Sequence, residues 1–461
     1  MLAAMMGGCV WFDAAGWGSS PGDYPPRLSR EWTRQLPRRG RYALDFPYIQ
    51  SLPSELSQPV AVGERVFVGT SAGVAAALEK EGGNTLWEVE LSDNPITSRA
   101  VADEQTVVFA GLSGTLWGRS VEDGTEKWTA ELDVPILDAL ALYEGRVIVQ
   151  DAHGALSALA IADGRILWKI DGKEPRGLSA RALGAPVIDE ISGHVYWARW
   201  DGVIQAASIA SGSVLWQSNY GGGRAGFQST NIGMTLVGSS LYAARFSGPV
   251  FKIRADDGIA VWQSENIEAA AGPAANYNQV FVPLQGGGMA ALDATLGSRI
   301  EGWGADIPED WGVLSQPKIL GEWVVAVTTE TENRWWPPRV TQSGRVIALD
   351  TGAFGQFSWF SKIQTGSYGG LSSGEDWVAV LSDRAIAQLW HFEPRTDARP
   401  DIDYAAEIAE QRRLKAEKRA AQEAAAAEKA RREAEPSSFW DNFFSAPDEQ
   451  SDDEYLDELS E

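Results

Sequence analysis

The stretch Val147-Ile-Val-Gln-Asp-Ala-His-Gly154-Ala-Leu-Ser-Ala-Leu-Ala-Ile-Ala-Asp-Gly164-Arg-Ile-Leu-Trp168 decides the fold. Its β-branched opening favours a strand. Gly154 supplies a hairpin turn that needs positive φ. A second strand, Ala155-Leu-Ser-Ala-Leu, runs to another hairpin turn at Asp163-Gly164, and a third carries Trp168. Ala182-Leu-Gly-Ala-Pro-Val-Ile then reads as a strand leading into the next unit.

The same grammar recurs along the chain. A glycine is followed 14 residues later by tryptophan at Gly73/Trp87, Gly114/Trp128, Gly154/Trp168, Gly202/Trp216 and Gly248/Trp262. A second glycine stands ten after the first each time: Gly83, Gly124, Gly164, Gly212 and Gly258. Four antiparallel strands in each such unit make a propeller blade.

Two further units are degenerate. Gly287 and Gly297 keep the spacing, but Glu301 takes the tryptophan position and Trp303 comes two later. Gly344 is followed by Trp359 at fifteen, and an insertion from Thr329 to Arg339 splits that unit's first hairpin. An eighth unit is assembled from both ends. Trp377 to Trp390 supplies its early strands, and Ser29-Arg-Glu-Trp32-Thr-Arg-Gln-Leu36 supplies the missing tryptophan strand.

The prediction is an all-β fold over residues 28–395: an eight-bladed β-propeller closed by its N-terminal strand. Trp32, Trp87, Trp128, Trp168, Trp216, Trp262, Trp303 and Trp359 are expected to pack between neighbouring blades, where a large aromatic buries the most surface.

Composition narrows the partners. The net charge is −24, from 39 Lys+Arg against 63 Asp+Glu. Phosphate binding needs a basic surface, so nucleic acid is not the expected partner. The single cysteine, Cys9, excludes an internal disulfide. No apolar run reaches the roughly 18 residues of a spanning helix.

Both ends depart from the repeat. Residues 1–9 look like the tail of a lipoprotein-type signal, with small residues before a cysteine that would carry the lipid; otherwise Cys9 is an ordinary residue. Residues 10–27, rich in Gly, Ser and Pro, read as a flexible tether. Residues 403–435 are mostly Ala, Glu, Lys and Arg, without Gly or Pro. They predict a solvated single helix held by i,i+4 pairs. Residues 436–461 form an acidic tail holding Phe439, Trp440, Phe443 and Phe444. These aromatics either dock on a partner groove or fold back on the propeller. Trp335 and Trp336, with Pro337 and Pro338, offer a second contact patch or a cap on the channel mouth.

The repeat, of the form G-x-L-x-A-L-x-x-x-x-G-x-x-x-W, resembles that of pyrroloquinoline-quinone proteins. Quinoprotein dehydrogenases of that kind usually carry an adjacent cysteine pair, a Ca²⁺ site and an Asp base. This chain has no second cysteine. Its three histidines, His153, His194 and His391, share no metal-ligand spacing. No cofactor and no catalytic residue are expected, and a quinone-dependent or sugar-acting enzyme is the alternative.

Eight blades, N-terminal closure and a tether behind Cys9 resemble the BamB lipoprotein family of the outer-membrane β-barrel assembly machinery. The resemblance implies a non-catalytic, monomeric scaffold on the periplasmic side of the outer membrane, held by lipid on Cys9. It also implies a barrel-forming assembly subunit as partner. In that family a Leu-Ser-Leu-Arg loop followed by Ala-Pro docks on periplasmic domains of that subunit. Here Leu178-Ser179-Ala180-Arg181 is followed by Ala185-Pro186. Leu178 and Arg181 are therefore the implied contacts, though Leu178 could instead pack between blades. The family's two acidic residues in the following loop are Ser229 and Asn231 here. A soluble, lipid-free interaction propeller is the other alternative.

Overall fold

The computed structural model describes residues 27–37 and 55–393, apart from 138–139, 175–183, 222–232, 306, 309, 314, 335–338, 352–354, 356, 364–366 and 368. The chain divides between Ala398 and Arg399. The helix and tail expected over 403–461 lie outside the described residues, as do Cys9 and the tether before Arg27.

The described strands form eight separate antiparallel sheets. Blade one runs from its inner strand Val60–Val62 through Arg65–Gly69 and Val74–Glu79 to its outer strand Thr85–Glu90. Blades two to five repeat this order. The phase differs by one strand from the sequence unit. The strand read as leading into the next unit is that next blade's inner strand, and tryptophan sits on the fourth, outermost one.

The two middle strands of each blade are covered on both faces. They therefore read as continuous small or β-branched runs, such as Val66-Phe-Val and Ala75-Ala-Ala-Leu, all fully buried. Outer strands have one open face and alternate: in Leu86-Trp-Glu only Trp87 is buried. The core accordingly has no single centre. Eight apolar clusters each join two neighbouring blades. The cluster uniting blades two and three, for example, holds Val108, Trp128, Val147 and Leu159.

Blade eight is completed by the N-terminus. Arg27–Gln35 pairs antiparallel with Ile386–Glu393, placing Arg27 opposite Glu393 and Gln35 opposite Ile386. Trp32 and Leu36 then join Val66 and Leu78 of blade one in a shared cluster. The inner strands of blades eight and one also meet, so the ring is closed.

Two blades depart from the pattern. Blade six has three strands, Ala274–Ala275, Gln279–Pro283 and Met289–Asp293. Among the described residues its expected tryptophan strand does not form. Gly302 and Gly304 both adopt positive φ, so the chain turns around Trp303 instead of extending. In blade seven the insertion does not split the hairpin. It lengthens it into two strands of 12 residues, Trp323–Arg334 and Arg339–Asp350, paired in unbroken register from Trp323↔Asp350 to Arg334↔Arg339.

Strand direction sorts the loops onto two faces. Hairpins between second and third strands share one face with the connections from blade to blade, here called the connection face. The remaining turns share the opposite face, where Arg27 begins and Glu393 ends the paired strands.

Candidate functional site

The tryptophans are wedges with a fixed seat. The indole N–H of Trp32, Trp87, Trp128, Trp168, Trp216 and Trp262 donates to a carbonyl in the next blade: Lys80, Val121, Ile161, Ile209, Ala255 and Ala294, at 2.7–3.2 Å. Each indole also lies against the second repeat glycine of that next blade, Gly83, Gly124, Gly164, Gly212, Gly258 and Gly297 respectively. A Cβ on Gly83 would stand 2.6 Å from the Trp32 ring, and φ there is +67°. Only glycine satisfies both constraints.

A β-bulge aims each wedge. The ladder between third and outer strands slips at one residue, the one before tryptophan: Glu31, Leu86, Lys127, Leu167, Leu215, Val261 and Ser358. The extra residue bends the strand and turns the indole inward. Its own side chain is left outside, hence Leu86, Leu167, Leu215 and Val261 are exposed.

Trp303 is seated differently. It is fully buried against Phe281 and Gly355, but its indole nitrogen has no acceptor among the described residues. The backbone of Trp359 pairs with Ala348; its side chain lies outside the described residues.

The expected contact residues Leu178, Arg181, Trp335 and Trp336 also lie outside them, as do Phe439, Trp440, Phe443 and Phe444. Their flanks do show where the segments start. The connection from Ile170 to Val187 and the long hairpin of blade seven both open onto the connection face. At the first of these a cross-blade staple holds the chain. Lys173 N–H donates to the His153 carbonyl of blade three (2.8 Å). The Lys173 carbonyl accepts from Trp200 Nε1 of blade four (2.6 Å). Lys173 Nζ lies 3.3 Å from Asp201 and 5.8 Å from the Trp200 ring centroid. Arg199 grips the same carboxylate through Nε and a terminal nitrogen (3.1 and 2.6 Å). Burial alone would raise Asp201, but Arg199 and Lys173 together hold it below the usual carboxylate range. Sequence reading missed this group, because its members come from three separate turns.

The long hairpin is braced at its root. Arg345 stacks 4.0 Å from the Trp311 ring centroid and pairs with Glu330 at 2.7 Å. Ser343 Oγ donates to the same carboxylate. Desolvation would raise Glu330, yet Arg345 and Ser343 pull it below its ordinary value. Beyond Thr329↔Gly344 five further pairs continue the ladder, a reach of about 17 Å at ~3.4 Å per residue.

The histidines are dispersed: His153 in a turn of blade three, His194 on a strand of blade four and His391 on blade eight. Among the described residues no group of three or more His, Cys, Asp or Glu is placed to hold a metal. No described helix is long and apolar enough to cross a membrane.

Comparison with known proteins agrees with this architecture. A family model described as outer membrane protein assembly factor BamB matches residues 71–303. The BamB of Yersinia pestis is 25% identical over 222 residues, covering 45% of this chain and 52% of that protein. The BamB of Moranella endobia is 24% identical over 253 residues, covering 52% and 62%. This chain thus spans between half and two thirds of these relatives. The crystal structure of BamB from Moraxella catarrhalis superposes with a TM-score of 0.64 at 18% identity, covering 79% of this chain and all of the other. A computationally designed protein, Ika8, gives 0.55 at 16% identity, a likeness of fold alone. With its repeat matched from blade one to Trp303, the chain belongs to the outer membrane protein assembly factor BamB family.

Proposed function

We propose that the chain is a non-catalytic scaffold in outer-membrane β-barrel protein assembly. It works on the periplasmic side of the outer membrane, tethered by lipid on Cys9, and binds a barrel-forming subunit through its connection face. The family match over residues 71–303 carries this reading. The staple at Lys173, Trp200 and Asp201 supports it, because it fixes the root of the segment that continues to Leu178 and Arg181. A docking loop rooted rigidly loses less entropy on binding. Trp335 and Trp336 at the end of the braced hairpin, and Phe439, Trp440, Phe443 and Phe444 in the tail, are further contacts in this reading.

The test is capture from detergent-solubilised envelope by the tagged full chain. Recovery of a barrel-forming outer-membrane protein is the expected result. Recovery of none would remove the proposal. Intact-mass measurement of the membrane-extracted protein reads the acyl chains on Cys9 directly.

A further inference from the structure

The closing strand is not the sole seal on the ring. Glu55 to Pro59 leads into the inner strand of blade one and is stitched to three blades. Gln58 donates to the Gly369 carbonyl on the approach to blade eight, and Ser372 of blade eight donates to the Pro59 carbonyl. Ser57 Oγ donates to the Ser98 carbonyl at the entry to blade two (2.9 Å). Glu55 accepts from Ser71 in blade one's hairpin, from its N–H at 2.8 Å and its hydroxyl at 2.6 Å. The segment therefore spans the seam where the two ends of the ring meet.

Glu55 is the anomalous member. Its side chain is fully buried. No charged side chain among the described residues acts on it; the groups it meets are the amide and hydroxyl of Ser71. A buried carboxylate without a cation is costly when ionised. The neutral acid fits the same seat. One oxygen still accepts the Ser71 N–H, while the acid O–H donates to Ser71 Oγ, since a hydroxyl can accept as well as donate.

We propose that Glu55 and Ser71 form a proton-operated latch on the ring seam: the neutral carboxyl seats residues 55–59 between blades eight and two, and the ionised carboxylate loosens them. Burial pushes Glu55 up to about 7 from an ordinary 4.5, with the Ser71 hydrogen bonds offsetting part of the rise. The seated segment thus holds its proton more tightly than the released one. Its advantage is complete below about 4.5 and is lost as pH rises to about 7.

Amide hydrogen exchange on the full chain tests the latch. After correction for the intrinsic rate, the opening constant at the Ser71 amide and along Leu371–Ser373 should rise about tenfold from pH 6 to pH 8. That of Tyr196 in blade four should stay flat. Glu55→Gln should abolish the rise. A wild-type profile as flat as that of Tyr196, or a rise that persists in Glu55→Gln, would overturn the proposal. Should Glu55→Gln fold poorly, Ser71→Ala decides. It removes a hydroxyl that bonds the carboxylate more strongly than it bonds the neutral acid, so the midpoint must move to higher pH, and an unmoved midpoint counts against the latch.

Discussion

The indole nitrogen of Trp32 donates to the carbonyl of Lys80 across 2.7 Å, joining the N-terminal strand to a residue 48 positions later in a different blade. It is the same bond that Trp128 makes to Ile161 (2.7 Å) inside the uninterrupted part of the ring. The seam between blades eight and one is thus built like the seam between blades two and three. Its wedge, however, is delivered by a strand that no turn joins to its neighbour in the sheet.

This difference makes Trp32 the more sensitive site. Trp128→Ala should cost ~3–5 kcal/mol, as for other buried large aromatics. Trp32→Ala should cost as much and also raise exchange along Ile386–Glu393, because no turn ties the strand that pairs there to the rest of its sheet. Urea unfolding with exchange mapping measures both; equal exchange patterns for the two variants would refute the distinction.

The glycine seats separate packing from backbone strain. Gly164 and Gly63 both have positive φ, but a Cβ on Gly164 would stand 2.5 Å from the Trp128 ring, whereas nothing lies within 4 Å of one on Gly63. Gly63→Ala should cost about 1 kcal/mol, the left-handed penalty alone. Gly164→Ala should cost that plus roughly 1–3 kcal/mol of overpacking. Thermal unfolding of the two variants gives the comparison.

How much of this was legible beforehand differs from residue to residue. The Gly154/Trp168 spacing reveals the blade, and Trp32 reveals the closure, because both are local patterns. That Gly164 faces Trp128 of the preceding unit was not legible, since spacing along the chain says nothing about which repeat a side chain reaches. The bulge before each tryptophan was hidden for a related reason: Leu167 looks like core until the ladder slips and turns it outward. Trp303 misled because two residues of offset, flanked by Gly302 and Gly304, convert a strand into a turn. Of the docking face, the sequence indicated the segment at Leu178 but not the Lys173, Trp200 and Asp201 staple that anchors its start.

Arg345 and Glu330 should govern the root of the long hairpin. Glu330→Gln or Arg345→Met should destabilise blade seven by ~3 kcal/mol, since removing either member strands the other in a poorly solvated site. Glu330 titrates below its ordinary value, so its contribution is present above the ordinary carboxylate range. It disappears as pH falls through the folded-state value. Wild type should therefore lose its advantage over Glu330→Gln on acidification, seen as converging melting temperatures.

Docking has its own signature. Leu178→Ala and Arg181→Ala should each weaken capture of the barrel-forming partner about tenfold, near 1.4 kcal/mol, with melting temperature unchanged. Trp200→Phe removes the indole N–H bonded to the Lys173 carbonyl. It should give a smaller loss of capture without unfolding blade four. Surface-plasmon measurements with the purified partner domain give the affinities.

The pairing of Arg27 with Glu393 marks where the ring has been cut: at the site that every intact blade spans with its turn between third and outer strands. A short linker joining these two residues, with new termini opened at the Asp163-Gly164 turn, would yield a circular permutant whose sheets are all unchanged. It would relocate the wheel's loose ends to another spoke, and show that the order of blades along the chain is independent of where synthesis begins.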